Sequence, residues 1–180
     1  QFVKTYPEAK LIVKIATTVE LMDMLKKGML DVIVIYDRQV QSDNWECPVK
    51  IREPLLFFAG NSNSFSGKHV ELAELSRENF ILTEKGCTYR KVIDDYIKAR
   101  DIDLNWNLDI GDTMAIIDFV SKDIGISLLP EYCISEFLEK GSISEIYVDD
   151  FEAELYLQVI YDRRKWMSPV KEAFIDLCSR

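Results

Sequence analysis

KLIVKIATTVELMDMLKKGMLDVIVIY, residues 10–36, changes its apolar period twice within 27 residues. Lys10 to Ala16 is a short, nearly continuous apolar run of the kind that forms a strand. Thr17-Thr18-Val19-Glu20 follows as a capping box, in which a Thr and a Glu three residues apart satisfy each other's backbone N–H groups at a helix start. Leu21, Met22 and Leu25 then share one face, and Gly28 is a helix stop. From Asp31 to Tyr36 four apolar residues run consecutively, Val32 to Ile35, which marks a strand buried on both faces. Strand, helix and strand make one βαβ unit, and the chain is α/β.

The alternation continues in both directions. Gln1 to Tyr6 reads as the end of an amphipathic helix, with Phe2, Val3 and Tyr6 apolar. Glu53 to Ala59 is an apolar run and Gly60 to Lys68 a polar loop. A short helix spans Val70 to Ser76, and a strand spans Asn79 to Thr83. The Gly86-Cys87-Thr88 turn opens a helix with Val92, Ile93, Tyr96 and Ile97 inward. Asn107 to Ile110 is a strand, and Asp112 begins a helix carrying Ile116, Ile117 and Val120. Ile124 to Leu129 is a strand, Pro130 a first-turn proline, and Gly141 the end of that helix. Later, Ile143 to Val148 and Leu155 to Tyr161 are strands, and Ser168-Pro169 caps a last helix. The repeated units predict a mostly parallel sheet.

Composition narrows the function. The 180 residues hold 22 Lys and Arg against 31 Asp and Glu, a formal net charge of −9, with no basic run to face nucleic acid. The apolar stretches fall short of the roughly 20 residues a membrane-spanning helix needs. The amino end lacks the apolar core of a secretory signal. Cys47, Cys87, Cys133 and Cys178 match neither a paired metal site nor a dense disulfide scaffold, which points to a reducing cytoplasm.

Catalytic signatures are scarce. His69 is the only histidine, it lies in a polar segment, and the expectation is a solvated side chain. No GxSxG, GxGxxG or GxxxxGK[ST] occurs. The neighbours Asp94-Asp95 and Asp149-Asp150 are of the kind that so acidic a chain produces by chance. Cys87, before a helix start and three residues from Arg90, is in the setting that lowers a thiol pKa; packing in a tight turn is the blander reading and the favoured one.

What remains is three polar helix beginnings directly after strands: Thr17-Thr18, Gly86-Cys87-Thr88 and Gly111-Asp112-Thr113. In α/β sheets such turns gather at the carboxyl ends of strands, where backbone N–H groups and small hydroxyls cradle a small ligand, an anion above all. Each alone is ordinary capping. Three together make a ligand cleft.

Several blocks, in order, resemble the effector-binding domain of LysR-type transcriptional regulators: Tyr6-Pro7, Leu25 to Gly28 with Leu30-Asp31, Glu53-Pro54-Leu55, Leu72 and Leu75 before Phe80, Gly86-Cys87-Thr88-Tyr89-Arg90, and Val120 ahead of Gly125-Ile126-Ser127-Leu128-Leu129-Pro130. The resemblance implies a two-lobe type II periplasmic-binding-protein-like fold with an inter-lobe cleft and two crossing strands. Lobe one would be residues 1–57 plus 157–180, lacking its first strand, and lobe two residues 58–156. It implies no enzymatic activity, cofactor or metal. The effector positions would be Thr17, Thr18, Gly86, Cys87, Thr88, Gly111, Asp112 and Thr113.

Lys85 and Arg90 favour an anionic effector, while Glu20, Glu84, Asp109 and Asp112 compete for the same helix ends. The expected partners are a second copy, as a homodimer or tetramer, and DNA only through an amino-terminal winged helix-turn-helix outside this chain. The rivals are a cytoplasmic enzyme or a transport-type solute-binding protein on the same fold. A thiol sensor acting through Cys87 is a minor alternative; its family counterparts place the cysteine one residue later with a partner shortly downstream, which this sequence lacks.

Overall fold

The computed structural model describes residues 2–179, which form two compact units, residues 2–52 with 155–179, and Glu53–Glu154. Gln1, the first residue of the expected amino-terminal helix, lies outside the described residues.

In the first unit, helix α1 (Phe2–Thr5) turns Phe2 inward against Phe174 at 5.4 Å. Helix α2 (Thr18–Lys26) starts at the predicted capping box and buries Leu25 with Ile33, Ile35 and Ile160. Strands β1 (Ile33–Asp37), β2 (Trp45–Arg52) and β9 (Tyr156–Asp162) form one sheet in the order β1-β9-β2. Both of its pairings are antiparallel, contrary to the mostly parallel sheet expected. The reason is β9, the returning strand, which takes the central position. Helix α6 (Pro169–Cys178) is capped by Ser168 and buries Ile175 against Val49 and Val159.

Lys10 to Ala16, expected as the first strand, is not one. The segment has no regular structure, and Ile12 and Ile15 are 74% and 95% exposed. Its β-branched residues suit a strand, but a strand needs a hydrogen-bonded neighbour, and among the described residues none pairs with it. Conversely, β2 escapes the sequence reading. It is an edge strand, largely exposed, with Pro48 at a break in register between Glu46 and Val49, where a missing N–H costs no ladder bond.

The second unit is mixed. Strand β3 (Leu55–Ala59) lies wholly within it, residues 55–57 included, because it pairs antiparallel with β7 (Ser127–Pro130) and β8 (Ser144–Val148). The short β4 (His69–Val70) runs parallel to β8. A 3-10 helix (Leu72–Arg77) precedes β5 (Phe80–Thr83), which pairs parallel with β6 (Trp106–Ile110). A parallel bridge between Phe80 and Ile126 ties β5 to the entry of β7. Helices α3 (Thr88–Arg100), α4 (Thr113–Ser121) and α5 (Glu131–Glu139) follow β5, β6 and β7 directly. The core joins Phe58, Ile81 and Leu129 from the strands to Ile116, Ile117, Val120 and Ile134 from the helices. Burying such side chains contributes about 1.5–3 kcal/mol each.

Candidate functional site

Because β5, β6 and the entry to β7 run parallel, their carboxyl ends share one edge, and α3, α4 and α5 all begin there. The structure brings two of the predicted turns together at this edge. A Cβ added at Gly111 would meet Glu84 Oε2 at 3.0 Å, so the ends of β5 and β6 touch. Gly86 sits at φ 103°, in the region that favours glycine, and the turn is closed by the Cys87 N–H donating to the Glu84 carbonyl at 3.3 Å. Cys87 is the N-cap of α3 and makes no side-chain cap. Thr88 opens the helix, half-buried.

The Tyr89 hydroxyl links the turns, sharing hydrogen bonds with the side chains of both Cys87 and Thr113. Burial is the main reason its phenol is held protonated far above the usual tyrosine range. Asp112 behaves as a cap: its Oδ1 accepts from the backbone N–H of Met114 at 2.8 Å and of Ala115 at 3.4 Å. That carboxylate therefore occupies the start of α4 itself.

The sequence marks the third helix start at Pro130 but does not count it among the site turns. Pro130 is the N-cap of α5, and the Tyr132 N–H donates to Glu53 Oε1 at 2.8 Å. Tyr132 and Cys133 share a side-chain hydrogen bond, and Glu53 and Cys87 are close enough to influence both. Burial first, and these neighbours second, push the Tyr132 phenol up. Burial likewise raises the Cys133 thiol, against the hydrogen bond from Tyr132. The only local signal was Pro130 after an apolar run, which marks a helix start but carries no small hydroxyl. Cys87, Tyr89, Thr113, Tyr132 and Cys133 thus make one cluster of phenols, thiols and a hydroxyl.

Thr17 and Thr18 belong to the first unit. The Thr17 hydroxyl accepts from the Glu20 N–H at 3.4 Å and donates to Glu20 Oε2 at 2.8 Å, while the Thr17 N–H donates to the same carboxylate at 2.9 Å. That backbone bond first, then the hydroxyl, holds the Glu20 carboxyl below its usual range. The Thr17 hydroxyl is engaged as a helix cap; Thr18 is half-buried beside it.

The other candidates resolve into structure. His69 is exposed, with Nδ1 at 2.8 Å from Asp149 Oδ1 and its ring stacked on Tyr147. Asp150 accepts from the Leu72 N–H at 2.8 Å, and Asp94 pairs with Arg90. Among the described residues no group of three or more metal-ligating side chains gathers, and no helix is long and apolar enough to cross a membrane. All four cysteines are free thiols.

Two α/β units, with three helix starts of the second converging on strand ends, have the form of a ligand-binding domain. The LysR substrate binding domain family matches residues 1–180, and the chain belongs to it. It is 28% identical over 179 residues to the HTH-type transcriptional regulator YwqM of Bacillus subtilis, covering 98% of this chain and 60% of that protein. The chain thus spans less than two thirds of that relative's length. Its fold is similar to the Synechocystis PCC6803 CcmR regulatory domain, solved with 2-PG (TM-score 0.81, 20% identity, 98% of this chain and 85% of that one). It is also similar to the effector-binding domain of QuiR, solved with shikimate (TM-score 0.74, 16% identity, 99% and 85%). The fold is therefore the two-lobe periplasmic-binding-protein-like fold of LysR effector-binding domains.

Proposed function

We propose that this domain binds a small metabolite without transforming it, and that the bound state changes the oligomer geometry and DNA binding of a full-length cytoplasmic regulator that assembles as a homodimer or tetramer. The convergence of α3, α4 and α5 at the ends of β5, β6 and β7 is the observation that carries this reading. The effector contacts are Gly86, Cys87, Thr88, Gly111, Asp112 and Thr113 on the second unit and Thr17 and Thr18 on the first. Carboxylates already sit at the starts of α2, α4 and α5, through Glu20, Asp112 and Glu53. The start of α3 has no side-chain cap and no acid in its first turn, so an anionic group of the effector belongs there.

The test is a thermal-shift screen of small metabolites, with 2-PG and shikimate among the probes. A true effector stabilises without being consumed, and at 100 times its dissociation constant adds about 2.7 kcal/mol. Thr88→Val weakens that hit; unchanged affinity in both Thr88→Val and Thr18→Val removes the contact assignment. Turnover of the hit favours an enzyme on this fold, and a secretory signal upstream in the parent gene favours a solute-binding protein.

A second reading, thiol sensing through Cys87, gains from the presence of Cys133 in the same cluster. Peroxide treatment that removes two free thiols in the native chain, but not in Cys133→Ser, supports it. Loss of one thiol or none rejects that pairing.

A further inference from the structure

The four thiols differ in their surroundings. Cys47 and Cys178 pack against different core clusters of the first unit. Cys87 and Cys133 are brought together by the second. Phe80 bridges Ile126 in parallel, and the Ile81 N–H donates to the Ile126 carbonyl at 2.9 Å, so β5 and the entry to β7 are neighbours at the usual strand spacing of about 4.8 Å. Equal steps from that bridge reach Thr83 and Leu129, and four residues beyond these lie Cys87 and Cys133, at the starts of α3 and α5. The side chains follow the register: Cys87 bonds Tyr89, Cys133 bonds Tyr132, and Cys87 acts on both Tyr132 and Cys133. Both thiols are free and half-buried.

The donor set selects the ion. Structural zinc takes four ligands and hard divalent cations take six or more oxygens. Among the described residues no three His, Cys, Asp or Glu side chains gather to hold one. His69 is bonded to Asp149, and Glu53, beside the thiols, engages the Tyr132 N–H through Oε1. A soft closed-shell cation such as Cu(I) is satisfied by two thiolates in a line, and thiolate is the ligand that selects it. Binding breaks two S–H bonds and forms two sulfur–metal bonds. One monovalent cation and two thiols give a bis-thiolate complex of charge −1, and the two protons leave to solvent. No electron moves. The negative charge falls at two helix starts, where peptide dipoles favour it, and α3 has no acid in its first turn.

We propose that Cys87 and Cys133 form a two-coordinate site for a soft monovalent cation of the Cu(I) class, joining the start of α3 to the start of α5. The site needs no oxidation, unlike the disulfide reading, and it stands whether or not a metabolite binds this edge. Since Cys87 is also a proposed effector contact, an occupied thiol pair closes that contact to a metabolite.

The test is an anaerobic titration of the reduced 180-residue chain with Cu(I) against bicinchoninate, whose coloured copper complex reports the ion that the protein does not hold. The chain withholds one ion per molecule. Cys87→Ser and Cys133→Ser each abolish that retention, and Cys47→Ser combined with Cys178→Ser preserves it. Cu(I), but not Zn(II), raises the thermal midpoint of the parent. No retained copper, retention in either single variant equal to that of the parent, or an equal loss in the Cys47→Ser, Cys178→Ser chain overturns the proposal. Half an ion per chain with two chains joined overturns the pairing within one molecule. Should a single variant fail to fold, iodoacetamide mapping of the native chain decides: bound Cu(I) protects Cys87 and Cys133 together, and labelling of either at its copper-free rate overturns the site.

Discussion

Arg90 Nη1 lies 2.5 Å from Asp109 Oδ1, while Nε lies 2.9 Å from Asp94 Oδ1, so one buried guanidinium clamps α3 to β6. The same nitrogen also holds the Thr83 carbonyl at the end of β5. Burial alone would lower the Arg90 pKa, but the hydrogen bonds to Asp109 and Asp94 raise it instead. The charge expected to draw an anion, or to activate Cys87, is thus committed to the frame that holds the turn in place.

Arg90→Ala should therefore act on stability before it acts on binding. Removing a buried cation from its partners costs 3–5 kcal/mol in the fully buried case. Here Asp94 and Asp109 are themselves 40% and 41% exposed, and rehydrate when the guanidinium is lost. A loss of about 2 kcal/mol in urea unfolding is the expected result. A midpoint within error of the parent would show that the clamp contributes nothing.

Capping makes a smaller prediction with a built-in control. Asp112→Ala removes the acceptor for two backbone N–H groups and should cost about 1 kcal/mol. Asp112→Ser retains a capping oxygen without the charge, and should recover most of that loss in thermal melts. If effector affinity rises in Asp112→Ser, the carboxylate was competing for an anion at this edge.

Acid stability carries the signature of Asp162. Its carboxylate accepts from Arg164 Nε at 3.0 Å, Nη2 at 2.8 Å and the backbone N–H at 3.0 Å. The side-chain bonds first, then the backbone bond, hold its pKa well below the usual aspartate range. A depressed folded-state value adds stability that is complete above the unfolded value and is lost as pH falls through the folded one. Urea midpoints of the parent and of Asp162→Asn should differ at neutral pH and converge in strong acid. A gap that stays constant down to the lowest pH would rule out this linkage.

What the amino-acid order revealed, and what it hid, follows from the range of each signal. Thr17 with Glu20, Asp112, and Ser168 with Pro169 act within one helical turn, and each marks a real start. Buried strands such as β3 and β5 announce themselves by apolar runs, Leu55 to Ala59 and Phe80 to Leu82. The edge strand β2 does not, because Pro48 and Lys50 face water and the polar Glu46 also breaks the pattern. Lys10 to Ala16 shows the reverse error, strand-like residues without a paired neighbour. At the site, the turns after β5 and β6 were visible because glycine and hydroxyl residues mark them. Tyr132 and Cys133 were not, since their link to Glu53 spans 79 residues and exists only once β3 has paired with β7.

Thiol chemistry should follow burial. Cys47, Cys133 and Cys178 are each pushed up mainly by desolvation, which lowers the fraction present as reactive thiolate at neutral pH. Iodoacetamide should label these three slowly in the native chain and rapidly in urea, with native rates still climbing above the ordinary thiol pKa. Because their folded-state values are raised, the associated stability is present below the unfolded value and is lost as pH rises through the folded one. Fast labelling of Cys133 at neutral pH would contradict the desolvated environment.

Gly125, first residue of the Gly-Ile-Ser-Leu-Leu-Pro block, offers the sharpest test of why that block has its form. A Cβ there would meet the Asn79 carbonyl oxygen at 2.3 Å, and neither atom belongs to a flexible side chain. Asn79 and Ile126 are also joined by a ladder bond, the Ile126 N–H donating to the Asn79 carbonyl at 2.9 Å, with the Ile81 N–H donating to the Ile126 carbonyl at 2.9 Å. Relieving the clash means separating β5 from β7, and with them the starts of α3 and α5. Gly86→Ala differs: nothing lies within 4 Å of its Cβ, so the cost is the positive φ alone, about 1 kcal/mol. Gly125→Ala should exceed that clearly, at about 3 kcal/mol or more, and should reduce soluble yield. Equal losses in the two variants would mean that β5 and β7 separate easily, and that the edge carrying the site is looser than this packing requires.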